Sequence, residues 1–199
     1  MEITERSAAR IVALLLLLTA ITQPIYTAFF IGAPEMDRRF LWRLEGLLFI
    51  LLACFGGAGL VLAKRHALGY SAIAFAAVFK LLAVGLGLTQ FFPFNAAAEV
   101  NADLNEVATS IVAFSFFSYN SANVLLGLAA IVFGLAKWAE RGRAIGAITT
   151  VVGIVALATN TVVMMFGFQG LLPSPVAGAS GVMATVLLAV CLLGTVRDR

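Results

Sequence analysis

The stretch SAIAFAAVFKLLAVGLGLTQFF, residues 71–92, is apolar almost without relief, yet Lys80 stands in its middle. A run of this length passes the ~18 apolar residues that a bilayer requires. In hydrocarbon a backbone must satisfy its own hydrogen bonds, and a run of ~20 residues does so only as a helix. The stretch therefore reads as a transmembrane helix that carries an ammonium where it has no water.

Working outward, the rest of the chain follows the same pattern. Hydrophobic residues make up 62% of 199 and charged residues 12%, with a mean hydropathy of +1.04. Ordinary soluble domains carry about 25% charged residues. Polar punctuation divides the chain into six spans, at 9–31, 41–63, 67–92, 107–136, 144–168 and 176–196. The expected fold is all-α: a polytopic six-transmembrane-helix bundle forming one domain over residues 1–199. Pro34, Pro93, Pro173 and Pro175 are expected between spans, as helix breakers. The opening MEITERSAARIVALLLLLTAITQ has the basic start and Leu run of a signal peptide. Its apolar character continues to Ile31 with no clear small-x-small cleavage pattern, so a retained first span is expected.

Charge sets the orientation. Arg6, Arg10, Lys64, Arg65, Lys137, Arg141, Arg143, Arg197 and Arg199 fall on one side of a six-span chain; Arg38, Arg39 and Arg43 fall on the other. Positive-inside then puts both termini in the cytoplasm, as expected for a multi-pass protein of a bacterial cytoplasmic (inner) membrane. The net charge of +3 is spent at span ends and forms no basic stripe, so nucleic acid is not an expected partner. The lipid bilayer is. Cys54 and Cys191 lie inside apolar runs and read as small buried hydrophobes. With one histidine in the chain, neither a His-ligated metal nor any other cofactor is expected.

The connector PFNAAAEVNADLNEV, residues 93–107, lacks Lys and Arg and carries Glu99, Asp103 and Glu106. It reads as either a short amphipathic helix over the outer mouth or a polar loop. The arginines of EMDRRFLWR, residues 35–43, could pair with it and close a lid. Small residues at one-face spacings (Ala53 and Gly57, Gly127 and Gly134, Gly146 and Gly153, Gly178 and Gly181) are expected to let helices approach closely.

Several of these stretches carry a family resemblance: ERSAARIVALLLLLTA, FKLLAVGLGL, SANVLLGLAAIVFG, KWAERGRAIGAITTVVGIVALA and VMATVLLAVCLLG. Together they resemble the bacterial six-helix integral membrane proteins of the domain of unknown function 4386 family. The resemblance covers nearly the full length and implies the six-helix architecture; it implies no activity. Family members often carry an arginine at the position of Lys80 and a carboxylate one turn later. Here that later position is Ala83, so this chain lacks that built-in pair.

Lys80 is the centre of the functional reading. At ~1.5 Å per residue its Cα lies about 18 Å from the outer end of its span, near the midplane and beyond snorkelling reach of an interface. A lone intramembrane cation costs about 2.5–3.5 kcal/mol on insertion scales, so a partner is expected. No carboxylate matches its depth; Glu45 lies about 6 Å inside its own span by the same rise, so that a tilted helix and two extended side chains would be needed to bring it to Lys80. Neutral polar groups do match: Gln23 and Tyr26 around Pro24, Asn120 and Asn123 on one face of span four, and Asn160 between Thr159 and Thr161 in span five.

Two readings are open for this group. In one, Lys80, Gln23, Tyr26, Asn120, Asn123 and Asn160 line a cavity in the outer half of the membrane. That cavity binds, as a step toward transport, a small amphiphilic or anionic molecule. In the other, the polar residues only lock helices together in a non-catalytic accessory or scaffold subunit, either a homo-oligomer or part of a membrane complex. Enzymatic chemistry is not expected. The GASG at 178–181 resembles a rhomboid-type protease motif, but the one histidine, His66, belongs at the opposite end of the membrane from Ser180. GGAG at 56–59 has no preceding strand, and Lys80 lacks the counter-ion expected of a retinal Schiff base.

Overall fold

The computed structural model describes residues 3–32, 37, 39–140, 142–167, 172 and 174–195. It contains helices α1 (Glu5–Gly32), α2 (Arg39–Leu62), α3 (Ala67–Leu86), α4 (Phe92–Val100), α5 (Asn105–Ala139), α6 (Arg143–Phe166) and α7 (Ser174–Thr195). A π-helical turn, Gly87–Phe91, joins α3 to α4, and a 3-10 turn, Ala102–Leu104, precedes α5. There is no strand among the described residues. Six helical runs are long and apolar enough to cross a membrane, with α3, the π turn and α4 counting as one.

The inside of the bundle mixes many alanines with a few large side chains, among them Leu16, Leu52, Ile73 and Phe133. Ala13, Ala72, Ala76, Ala122, Ala129 and Ala184 are buried, whereas Leu14, Phe75, Phe114, Ile154 and Met183 point outward. Helices that are apolar all round gain nothing by hiding Leu from lipid, and they associate through close packing of small residues. The α5–α6 pair shows this most clearly. A Cβ placed on Gly127 would meet the Leu157 nitrogen at 2.8 Å, and one on Gly153 would meet the Gly127 carbonyl oxygen at 2.8 Å. Gly134 and Gly146 lie equally close across the same antiparallel contact. Gly181 approaches the Asn123 side chain instead, while Gly57 and Gly178 have nothing within 4 Å, so their expected packing role is not met.

Five helices form a closed ring. α1 packs on α2 and α7, α2 on α3, α3 on α5, and α5 on α7. α6 lies outside this ring, against α5 and α7. The register is antiparallel between α2 and α3, where Gly46 faces Val84 and Gly56 faces Ala74. It is antiparallel again between α3 and α5, where the Ser115 hydroxyl donates to the Ala83 carbonyl at 3.2 Å.

Several expectations change here. Pro93 lies inside a continuous helical run, in the first turn of α4, where a missing N–H costs least. Pro175 likewise lies in the first turn of α7; Pro34 and Pro173 fall outside the described residues, as do Arg38, Arg141, Arg197 and Arg199. The acidic connector is helical, and α4 packs on α5 and the adjoining turns, with Phe92 at its start against Trp42 of α2. Arg39 pairs with Asp37 at 2.7 Å and stands over the Phe92 ring at 5.3 Å. No ion pair joins it to Glu99, Asp103 or Glu106 among the described residues. Cys54 is exposed on the apolar exterior and only Cys191 is buried. Lys137, counted above with a connector, is buried in the last turn of α5, 3.7 Å from Glu140. His66 adopts a left-handed conformation (φ 64) where α2 hands over to α3.

Candidate functional site

The axis of the five-helix ring holds a small cavity of about 20 Å³, walled by every ring helix. α1 supplies Leu16, Thr19, Ala20 and Gln23, and α2 supplies Phe49 and Leu52. α3 supplies Ala76, Ala77 and Lys80, α5 supplies Tyr119, Asn123 and Leu126, and α7 supplies Gly181, Val182 and Thr185. A water needs about 10–15 Å³ and two to four polar partners. The cavity therefore has room for one, with Lys80, Gln23, Thr19, Thr185 and Asn123 around it.

Lys80 is 6% exposed. Its Nζ lies over the Tyr119 ring, 3.3 Å from the centroid, where the negative face of the π system attracts a cation. Among the described residues, no carboxylate oxygen comes within 4.0 Å of it. The Tyr119 hydroxyl donates to Gln23 Oε1 at 2.7 Å, and Gln23 Nε2 donates to Glu45 Oε1 at 2.7 Å. The Thr22 hydroxyl reaches the same Glu45 oxygen at 2.7 Å. Glu45 itself is 3% exposed. An acid and a base thus share the ring interior, joined through neutral dipoles rather than paired directly. Glu45 is close enough for its charge to be felt at Lys80.

The residues expected to converge do so in part. Lys80, Gln23 and Asn123 line the cavity. Asn160 stands behind Asn123, which donates to its Oδ1 at 3.0 Å; Asn160 in turn donates to the Ala156 and Ala177 carbonyls at 2.8 and 3.1 Å. Asn120 is buried but gives its amide to the Phe116 carbonyl of its own helix at 2.7 Å and takes no part in the cavity wall. Tyr26 is stacked on Trp42, with ring centroids 5.7 Å apart, and is also outside the wall. The wall was expected from spans one, three, four and five. The ring instead takes spans two and six and leaves span five behind, because Gly127 and Gly153 hold α6 to the back of α5.

Two contributors went unrecognised in the sequence, and a third, Glu45, was considered there only at a shallower level. Tyr119 lies four residues before Asn123 on one helical face, a spacing that could have found it. Thr22 is adjacent to Gln23 and carries no signal of its own. Glu45 was set too shallow: α2 begins at Arg39, and the register of Gly46 opposite Val84 puts Glu45 little more than one turn from the level of Lys80.

Ser180, the candidate nucleophile set aside above, is a helix tie. Its hydroxyl lies 2.8 Å from that of Thr159 and donates to the Ala177 carbonyl at 2.8 Å. No group of three or more potential metal ligands occurs among the described residues. Comparison of the chain with family models, with curated proteins and with solved structures gave no match.

Proposed function

We propose that the chain is a multi-pass protein of a bacterial cytoplasmic membrane, with both termini inside, that binds a small anionic or amphiphilic molecule at Lys80. Transport is the wider activity such a site would serve, and the sequence resemblance supports placing the chain in the domain of unknown function 4386 family. One observation carries the reading: the Lys80 ammonium borders a cavity and has no carboxylate within 4.0 Å among the described residues. An intramembrane cation held this way is a functional group before it is a structural one. The space beside it holds about one water, which an entering anionic group would displace. Gln23, Asn123 and Thr185 offer the accompanying hydrogen bonds, with Asn160 fixing Asn123 from behind.

The test is native mass spectrometry of protein purified from its own membranes in mild detergent, comparing wild type with Lys80→Met. The expected result is a co-purifying anionic species that the variant loses while keeping its helical circular dichroism. An adduct retained by the folded variant, or no adduct in either protein, would refute the site.

A second reading is favoured by the small size of the cavity: the polar groups are mostly satisfied by one another, as in a scaffold or accessory subunit. That reading predicts a stable homo-oligomer or a firmly bound partner in the same preparation, with no small-molecule adduct.

A further inference from the structure

Thr22 poses a problem of proton counting. Its Oγ1 lies 3.0 Å from the Thr19 carbonyl oxygen and 2.7 Å from Glu45 Oε1. A hydroxyl has one proton to donate, so it cannot serve both acceptors. Two arrangements fit the same heavy-atom positions. With Glu45 ionised, Thr22 donates to the carboxylate and the Thr19 carbonyl is left with its helical bond alone. With Glu45 protonated on Oε1, the carboxyl donates to Thr22 Oγ1 and the Thr22 proton turns to the Thr19 carbonyl. Gln23 Nε2 donates to Oε1 in either case. The site accepts a proton by rotating one hydroxyl and moving nothing else.

The surroundings leave few competing charges. At this level α3 contributes Lys80, α5 contributes Tyr119 and α2 contributes Glu45 itself. The wall residues from α1 and α7 are neutral and cannot titrate. One turn further out, Tyr26 is stacked on Trp42 and Arg43 is exposed. While Glu45 is ionised, its charge offsets that of Lys80. Once Glu45 is protonated, a charged Lys80 has no opposing charge at this level among the described residues.

We infer that Glu45 is a proton-binding residue inside the bundle, and that a proton on Glu45 and an anion on Lys80 promote each other's binding. The balance is simple: the Glu45 carboxylate takes one proton from water and becomes a carboxylic acid, while the anion pairs with the ammonium left uncompensated. Release of both reverses the step. Coupling of this kind is reciprocal by linkage. The second half of the inference rests on the ligand reading above; the proton site does not need a ligand.

The experiment is infrared difference spectroscopy of ligand-free protein in zwitterionic phosphatidylcholine vesicles, following the carbonyl stretch of a protonated buried carboxyl as pH is lowered. A band that Glu45→Gln abolishes is expected. Lys80→Met, or Lys80→Gln if the first does not fold, is expected to let the band form at a proton concentration about tenfold lower or less, as loss of a nearby opposite charge does. The inference is overturned if no Glu45→Gln-sensitive band appears anywhere in the range where helical circular dichroism persists. It is also overturned if folded Lys80 variants leave the midpoint in place. An anion lost from Lys80→Met alongside a silent Glu45 would overturn it and leave the binding site standing. A titrating, Lys80-coupled Glu45 in protein that carries no anion would support the proton site and refute the ligand reading instead.

Discussion

Gly127→Ala adds one methyl group at the α5–α6 seam, where backbone meets backbone, and its cost follows from that geometry. The new Cβ would sit 2.8 Å from the Leu157 nitrogen and 2.9 Å from the Gly153 carbonyl oxygen. Both are backbone atoms, so no flexible side chain can swing away, and α5 and α6 must part by about half an ångström. Overpacking of this kind costs about 1–3 kcal/mol. Exchanging Gly for Ala in a helix returns roughly 0.5–1 kcal/mol, so the net is a loss. The Asn123–Asn160 hydrogen bond of 3.0 Å crosses the same seam and would lengthen as well. Gly57→Ala is the matched control, since nothing lies within 4 Å of its Cβ position and only the propensity gain applies. The two variants should therefore move stability in opposite directions. Reversible unfolding by SDS in mixed micelles, followed by circular dichroism and tryptophan fluorescence, measures both. Equal shifts of the same sign would show that α5 and α6 are not in backbone contact and would remove the reason for α6 lying outside the ring.

The same assay separates the hydroxyl and ring contacts of Tyr119. Tyr119→Phe keeps the ring under Lys80 and loses the hydroxyl's hydrogen bonds to Gln23 and Asn123, each worth about 0.6 kcal/mol. Tyr119→Leu also loses the cation–π contact, which is worth about 2 kcal/mol when desolvated; equal losses from the two variants would mean that the ring face does not hold the ammonium. At the α2 end, hydrogen bonds from Arg39 hold the exposed Asp37 carboxyl at about 2, against an ordinary 3.8. Whatever Asp37 contributes is thus present above that ordinary value and lost as pH falls toward 2. Carboxyl-carbon NMR should find its titration near 2 in the wild type and raised part of the way toward 3.8 in Arg39→Gln, which keeps the backbone N–H bond; an unchanged value would exclude the side-chain pairing.

The architecture was readable because its cause is local. Apolar length and the hydrogen-bonding demand of the backbone fix a helix without reference to its neighbours, so the six helical runs were found, five of them within about five residues at each end, while span three runs on from 92 to Val100. Depth along a helix is local too, and it brought Lys80, Gln23 and Asn123 to one level. Azimuth is not local. Asn120 and Asn123 share a helical face in the sequence, yet only Asn123 borders the cavity, because the Gly181 approach selects which part of α5 meets α7. Which helix stands beside which depends on backbone contacts such as Gly127 against Leu157. A sequence shows those glycines without showing their partners, and Gly57 carries the same signal with nothing opposite it. Glu45 was misjudged for a related reason. Its level was counted from the wrong end residue, and no periodicity reports that Thr22 and Gln23 face it.

The enclosure around Lys80 also has an order in time. Among the elements described, α7 is the last to be synthesised, and it supplies Gly181, Val182 and Thr185 before closing against α1. Until it arrives the other four ring helices form an open arc, with the amine exposed along the missing side to whatever the nascent chain meets there. The ring closes only when α7 docks, so a chain stalled before α7 would be an unsealed vessel even with every earlier helix correctly placed.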